Sequence, residues 1–132
     1  MNKTGPRRIL IIDPDPESGR LMNLMLSRKY GDGTQVVLTR DAGWAALQAE
    51  PADLVFVYLR EEGVTATGFC RRHRSSPKLE DVPVVVVGAM QPEDIYAELQ
   101  EAGASCYLFV PLAPKKVLAA RDAALRGETY YP

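Results

Sequence analysis

Five short runs of unbroken apolar residues set the limits on what this chain can fold into: Ile9–Ile12, Val36–Leu38, Leu54–Leu59, Val84–Val87 and Tyr107–Val110. Each is too short for a helix and rich in β-branched or aromatic residues. A strand with one face in water alternates apolar with polar residues. These runs do not alternate, so both faces are covered, which predicts a parallel sheet between two layers of helices. The segments between the runs carry helical signals, giving a β-α alternation along the whole chain.

The helix signals are local. Asp15-Pro16-Glu17-Ser18 opens the first helix, with Asp15 as cap, Pro16 in the first turn and Glu17 complementing the dipole. Leu21, Leu24, Met25 and Tyr30 supply its apolar stripe, and Gly31-Asp32-Gly33 ends it. Asp41 is expected to cap a second helix through Trp44, Ala45, Leu47 and Ala49, closed before Pro51. A third runs from Thr65 to Arg74 and puts Phe69 and His73 on one face. Gln91-Pro92 opens a fourth with Ile95, Leu99 and Ala102, stopped by Gly103. Ala113-Pro114 opens a fifth with Val117, Leu118 and Leu125, stopped by Gly127. One domain is expected over residues 6–127, with residues 128–132 a frayed tail or the start of a linker.

A chain of 132 residues suits a single domain. Its 16 Lys and Arg against 17 Asp and Glu give a formal charge of −1, with no drive toward nucleic acid or an anionic membrane. Cys70 and Cys106 are too few for a disulfide framework or a four-cysteine zinc site and read as reduced thiols. No apolar run approaches the roughly 18 residues of a membrane span. The basic start meets only Ile9–Ile12 before Asp13, too short for a signal-peptide core. The expected location is the cytoplasm, with no membrane partner.

In a doubly wound sheet, sites form beyond the carboxyl ends of the strands. Here those ends are Asp13-Pro14-Asp15, Tyr58 to Gly63, Gly88-Ala89 and Val110-Pro111. At these points the chain resembles the receiver domain of bacterial response regulators. The resemblance is carried by Arg8-Ile9-Leu10-Ile11-Ile12-Asp13-Pro14-Asp15-Pro16, by Ala52-Asp53-Leu54-Val55-Phe56-Val57-Tyr58-Leu59, by Val82-Pro83 through Gly88-Ala89, and by Glu101-Ala102-Gly103 through Pro111-Leu112. It implies a flavodoxin-like α/β fold with strand order 2-1-3-4-5 and five helices. It also implies phosphoryl transfer to an aspartate ending the third strand. Two acidic residues after the first strand would hold Mg²⁺, and a hydroxyl residue after the fourth and a lysine after the fifth would hold the phosphoryl group.

Carried over position by position, Asp13 matches the first acidic residue, but Pro14 stands for the second. Tyr58 stands for the acceptor aspartate, Gly88 for the hydroxyl residue and Val110 for the lysine; Pro111 after it is kept. A phenol of ordinary pKa about 10 is neutral at pH 7 and forms no acyl phosphate. Mg²⁺ wants hard oxygen ligands in octahedral geometry, which Asp13 alone supplies poorly. Gly88 offers no hydroxyl and Val110 no ammonium. The expectation is a pseudo-receiver with no Mg²⁺ or other cofactor, no catalytic constellation and no enzyme activity. Its work would be phosphorylation-independent protein–protein interaction with another signalling protein, an output domain in the same chain, or a second copy.

Two other functions stay open: a phosphoryl-accepting switch with remodelled ligands, and a small-ligand site in an apolar cleft beside Tyr58. Asp13 and Asp15 are weak metal candidates, set against capping and loop hydrogen bonding. The resemblance also implies that the aromatic at Tyr107 swings inward when the fourth-strand hydroxyl moves toward phosphate. Ile95, Tyr96, Leu99, Tyr107, Lys115 and Lys116 are the expected interaction face. His73 reads as a partly buried structural imidazole, Cys70 and Cys106 as inert thiols, Arg71-Arg72-His73-Arg74 as a solvated helix face, and Trp44 as packing on the sheet.

Overall fold

The computed structural model describes residues 6–59, 64–77 and 79–132. Residues 1–5 of the basic start and the loop residues 60–63, expected at the sheet's carboxyl edge, lie outside them. The elements are β1 (Arg8–Ile12), α1 (Pro16–Tyr30), β2 (Gly33–Val37), α2 (Arg40–Ala49), β3 (Leu54–Leu59), α3 (Val64–Arg74), β4 (Val84–Gly88), α4 (Pro92–Ala102), β5 (Cys106–Phe109) and α5 (Pro114–Leu125). The strands form one parallel sheet in the order β2-β1-β3-β4-β5. This is the flavodoxin-like order expected from the sequence.

The unbroken runs arise because alternate residues serve opposite layers. Leu10 and Ile12 of β1 join Leu47, Phe69, Cys70, Ile95 and Leu99 in a core beneath α2, α3 and α4. Ile9 and Ile11 face the other way, joining Met22, Leu26, Val117 and Ala120 beneath α1 and α5. Both clusters consist of buried apolar residues, and burial of this kind contributes roughly 25 cal/mol per Å² of apolar surface.

Asp15 caps α1 as expected, its carboxylate accepting the Glu17 N–H at 3.0 Å. The apolar stripe of α1 is not the expected one. Its buried residues are Gly19, Met22 and Leu26, while Leu21 and Leu24 face solvent. The reason is close packing at Gly19, where a Cβ would lie 2.7 Å from Val36. Only glycine lets α1 come down on β2 there, and that contact sets the rotation of the helix. The α2 cap is Thr39, whose hydroxyl accepts the Ala42 N–H at 3.0 Å, rather than Asp41. Strand β2 starts earlier than its apolar run because the Gly33 N–H already donates to Arg7 at 2.9 Å.

The last residues are not frayed. Tyr130 bridges to Cys106 in parallel, its N–H donating to the Ser105 carbonyl at 2.9 Å. The Tyr131 hydroxyl donates to the Ala104 carbonyl at 2.8 Å. Two aromatic side chains thus anchor the tail along the free edge of β5, a segment whose composition alone suggested a linker.

One buried ion pair joins α5 to the turn after α1. Arg121 donates from Nε and Nη2 to the two oxygens of Asp32, both bonds 2.8 Å, and both side chains are fully buried. The guanidinium stacks 3.8 Å from the Tyr30 ring centroid and also reaches Asp122. Asp32 accepts the Arg7 N–H as well, at 2.9 Å.

Candidate functional site

The parallel sheet brings the ends of β1, β3, β4 and β5 to one edge. Leu59 lies beside Gly88, and Gly88 beside Phe109, so the positions carried over from the receiver pattern do converge. Asp13 follows β1 and is fully buried; one of its carboxylate oxygens accepts the Asp15 N–H at 2.9 Å. The exposed Asp15 spends an oxygen on its cap. Pro14 is exposed and brings no donor atom. Among the described residues, no group of three or more His, Cys, Asp or Glu converges as metal ligands. Among the described residues, the groups around Asp13 are a proline, a phenol and a capping carboxylate, where Mg²⁺ usually takes one or two carboxylates with several further oxygens.

Tyr58 is half-buried, packed against the cluster beneath α1 and α5. It borders an open hollow of about 250 Å³ shared with Pro14, Leu38, Thr39 and Arg40. That hollow leads toward the start of α2, not between Gly88 and Val110. Val110 is half-buried, its N–H donating to the Gly88 carbonyl at 2.9 Å, and its peptide bond to Pro111 is cis.

Gly88 is where the site is tightest. A Cβ built there would stand 3.0 Å from the Tyr107 hydroxyl oxygen, 3.2 Å from Leu59 Cβ and 3.3 Å from the Leu59 carbonyl oxygen. The space in which a Ser or Thr side chain would begin is therefore already bordered by Tyr107. Tyr107 is fully buried and donates from its hydroxyl to the Met90 carbonyl at 2.8 Å. Burial pushes its phenol up to about 12, so it stays a donor at any physiological pH. The ring points inward in a chain that has no fourth-strand hydroxyl to draw it there.

Behind Tyr107 the aromatics continue. Tyr96 meets it edge-on at 5.9 Å, and Tyr131 meets Tyr96 edge-on at 4.9 Å. The Tyr96 hydroxyl also bonds the Pro132 carbonyl. Sequence reasoning missed this file, since nothing in Tyr130-Tyr131 signals a docked tail.

The expected interaction face needs correction. Ile95, Leu99 and Tyr107 are buried, because the i,i+4 pair lines the sheet side of α4 and Tyr107 occupies an inward position of β5. Tyr96 is partly covered by the tail. Of that set only Lys115 and Lys116 are exposed.

The remaining candidates are structural. His73 is buried, stacks on Phe69 at 5.9 Å and lies 2.7 Å from the Val82 carbonyl through Nε2. A carbonyl only accepts, so Nε2 carries the proton, and burial holds the pKa below its ordinary value. Cys70 and Cys106 are buried, and burial pushes both thiols up to about 12. Trp44 packs edge-on against Phe69 on the core beneath α2, and Arg72 lies over its ring at 4.1 Å. No helix among the described residues is long and apolar enough to cross a membrane.

No protein-family model matches the chain. Curated relatives do. The DNA-binding dual master transcriptional regulator RpaA of Synechocystis sp. is 31% identical over 125 residues, covering 95% of this chain and 52% of RpaA. The transcriptional regulatory protein GltR of Pseudomonas aeruginosa is 33% identical over 122 residues, covering 91% of this chain and 49% of GltR. The chain thus spans about half the length of the curated relatives it matches. Among solved structures, the signal receiver domain of a signal transduction histidine kinase from Syntrophus aciditrophicus superposes with a TM-score of 0.80 at 19% identity, covering 92% of this chain and 91% of that one. The chain is a relative of the bacterial response regulators and has the fold of their receiver domains.

Proposed function

We propose that this chain is a pseudo-receiver: a signalling domain that works by phosphorylation-independent protein–protein interaction. The observation that carries the reading is the inward Tyr107, whose hydroxyl stands 3.0 Å from where a Cβ at position 88 would lie. In the receiver pattern a hydroxyl responds to phosphate and an aromatic follows it. Here the aromatic is inward and hydrogen-bonded to Met90, and the responding side chain is absent. The substitutions Pro14, Tyr58 and Val110 support the reading from the chemical side, since they remove a metal ligand, the acceptor and the neutralising ammonium. Among the described residues, no nucleophile–base–orienter set comes together to support an enzyme activity.

The partner is another signalling protein, a second copy or an output domain in the same polypeptide. The relatives named as DNA-binding or transcriptional regulators are about twice as long as the matched stretch. DNA binding would therefore belong to an attached domain rather than to this one.

Intact-mass spectrometry after incubation with acetyl phosphate and Mg²⁺ tests the reading. The expected result is unchanged mass. A labile phosphoryl adduct on Asp13 or Asp15 would overturn it and make the chain a phosphoryl-accepting switch with remodelled ligands.

A further inference from the structure

The rotation of α1 that buries Met22 and Leu26 leaves an apolar surface without a partner. Leu21 is 56% and Leu24 45% exposed, among the most exposed large apolar residues described. With Met25, Pro114 and Leu118 they line an open groove between α1 and α5, rimmed by Arg28 and Lys29. The patch is small, so its pattern of residues rather than its size has to carry an interaction reading.

The sequence of the exposed stripe says what fits it. Glu17, Leu21, Leu24 and Arg28 fall at i, i+4, i+7 and i+11, which places them on one face of α1. Glu17 and Arg28 stand equally far from the midpoint between Leu21 and Leu24, with opposite charges. A stripe with that arrangement is complementary to itself turned end for end. When two copies of α1 cross antiparallel about a two-fold axis at that midpoint, each leucine pair meets its twin. Each Glu17 then comes to the other copy's Arg28. In a parallel pairing Arg28 would face Arg28 and Glu17 would face Glu17. Two-fold interfaces are isologous, so this self-complementarity is what they require. The existing contact of Glu17 is an exposed i,i+3 pair with Arg20 at 3.1 Å, which holds little energy and yields readily to a new partner.

We propose that the α1–α5 groove is the docking site for a second copy of this chain, joined through antiparallel α1 helices. The dimer uses a face remote from Tyr107 and does not depend on how the chain responds to phosphate. It also leaves the α4–β5 edge under its own tail.

Sedimentation velocity of the full chain over rising concentration tests the proposal, with circular dichroism to verify that each variant is folded. All four positions are exposed, so substitutions there leave the core intact. Self-association is expected below roughly 1 mM and is abolished by Leu21→Asp with Leu24→Asp. Glu17→Arg or Arg28→Glu alone weakens it about tenfold, and the two together restore it to within about threefold. A wild-type chain that stays monomeric would overturn the proposal and leave the groove to a different protein. So would a dimer that survives the leucine substitutions, or a charge-swapped double variant no better than the single ones.

Discussion

The Tyr107 hydroxyl lies 3.0 Å from where a side chain at Gly88 would begin, and its own hydrogen bond to Met90 holds it there. The residue missing from β4 and the orientation of the aromatic on β5 are thus one feature. A larger residue at 88 and an inward, hydrogen-bonded Tyr107 compete for the same few tenths of an ångström.

That competition is measurable. Gly88→Ser is expected to cost about 1–3 kcal/mol, because overpacking forces Tyr107 or Leu59 to shift. Tyr107→Phe alone should cost about 1 kcal/mol through the lost bond to Met90. The double variant should fall short of the sum by at least about 0.5 kcal/mol, since the phenylalanine removes the nearest obstacle. Urea unfolding of the four proteins checks this; strict additivity would mean the two positions do not touch.

The docked tail should be structural. Tyr131→Ala removes the hydroxyl bonded to Ala104 and the ring packed on Tyr96. Thermal unfolding should show a loss of about 1–3 kcal/mol. Tyr130→Ala should do less, because its contribution along β5 includes a backbone bond that any residue can make.

These contacts also show what the sequence could and could not announce. The five strands were legible because each run serves two layers at once, and their carboxyl ends were legible because each closes a run. The rotation of α1 was not. Leu21 and Leu24 make as good a helical stripe as Met22 and Leu26, and only the tertiary approach of Gly19 to Val36 decides between them. The Thr39 cap of α2 lay one residue before the helix, where Asp41 competed as a signal of the same chemical kind. The tail and the Arg121–Asp32 pair link residues far apart in the chain, which no local pattern reports.

Breaking that ion pair from one side should be worse than replacing it whole. Arg121→Met leaves Asp32 buried with an uncompensated charge and should cost about 3–5 kcal/mol. Adding Asp32→Asn should recover part of the loss, as the remaining amide can still accept the Arg7 N–H. Chemical denaturation of the single and double variants measures the difference.

The only histidine predicts a pH effect. Burial lowers the pKa of His73, so the folded chain binds a proton less readily than the unfolded one. Stability is therefore full above the unfolded value of about 6.5 and falls as pH drops from there toward the lower folded value. The slope can reach about 1.4 kcal/mol per pH unit for one proton. Carboxylates with ordinary pKa values titrate mainly below this window. Melting temperatures between pH 7 and 5.5 should decline for the wild type and stay flat for His73→Gln, whose neutral amide can still donate to Val82.

The most direct test of the phosphate-blind account is a titration of the ¹⁵N-labelled chain with Mg²⁺ and beryllofluoride, followed through the amides of Asp13, Gly88 and Tyr107. The account predicts no saturable change at any of them, because the acceptor, hydroxyl and ammonium positions are Tyr58, Gly88 and Val110, and Tyr107 is held inward by Met90. Saturable shifts that spread from Asp13 through Gly88 to Tyr107 would contradict it, since they would mean that a phosphoryl mimic still binds and still moves the switch.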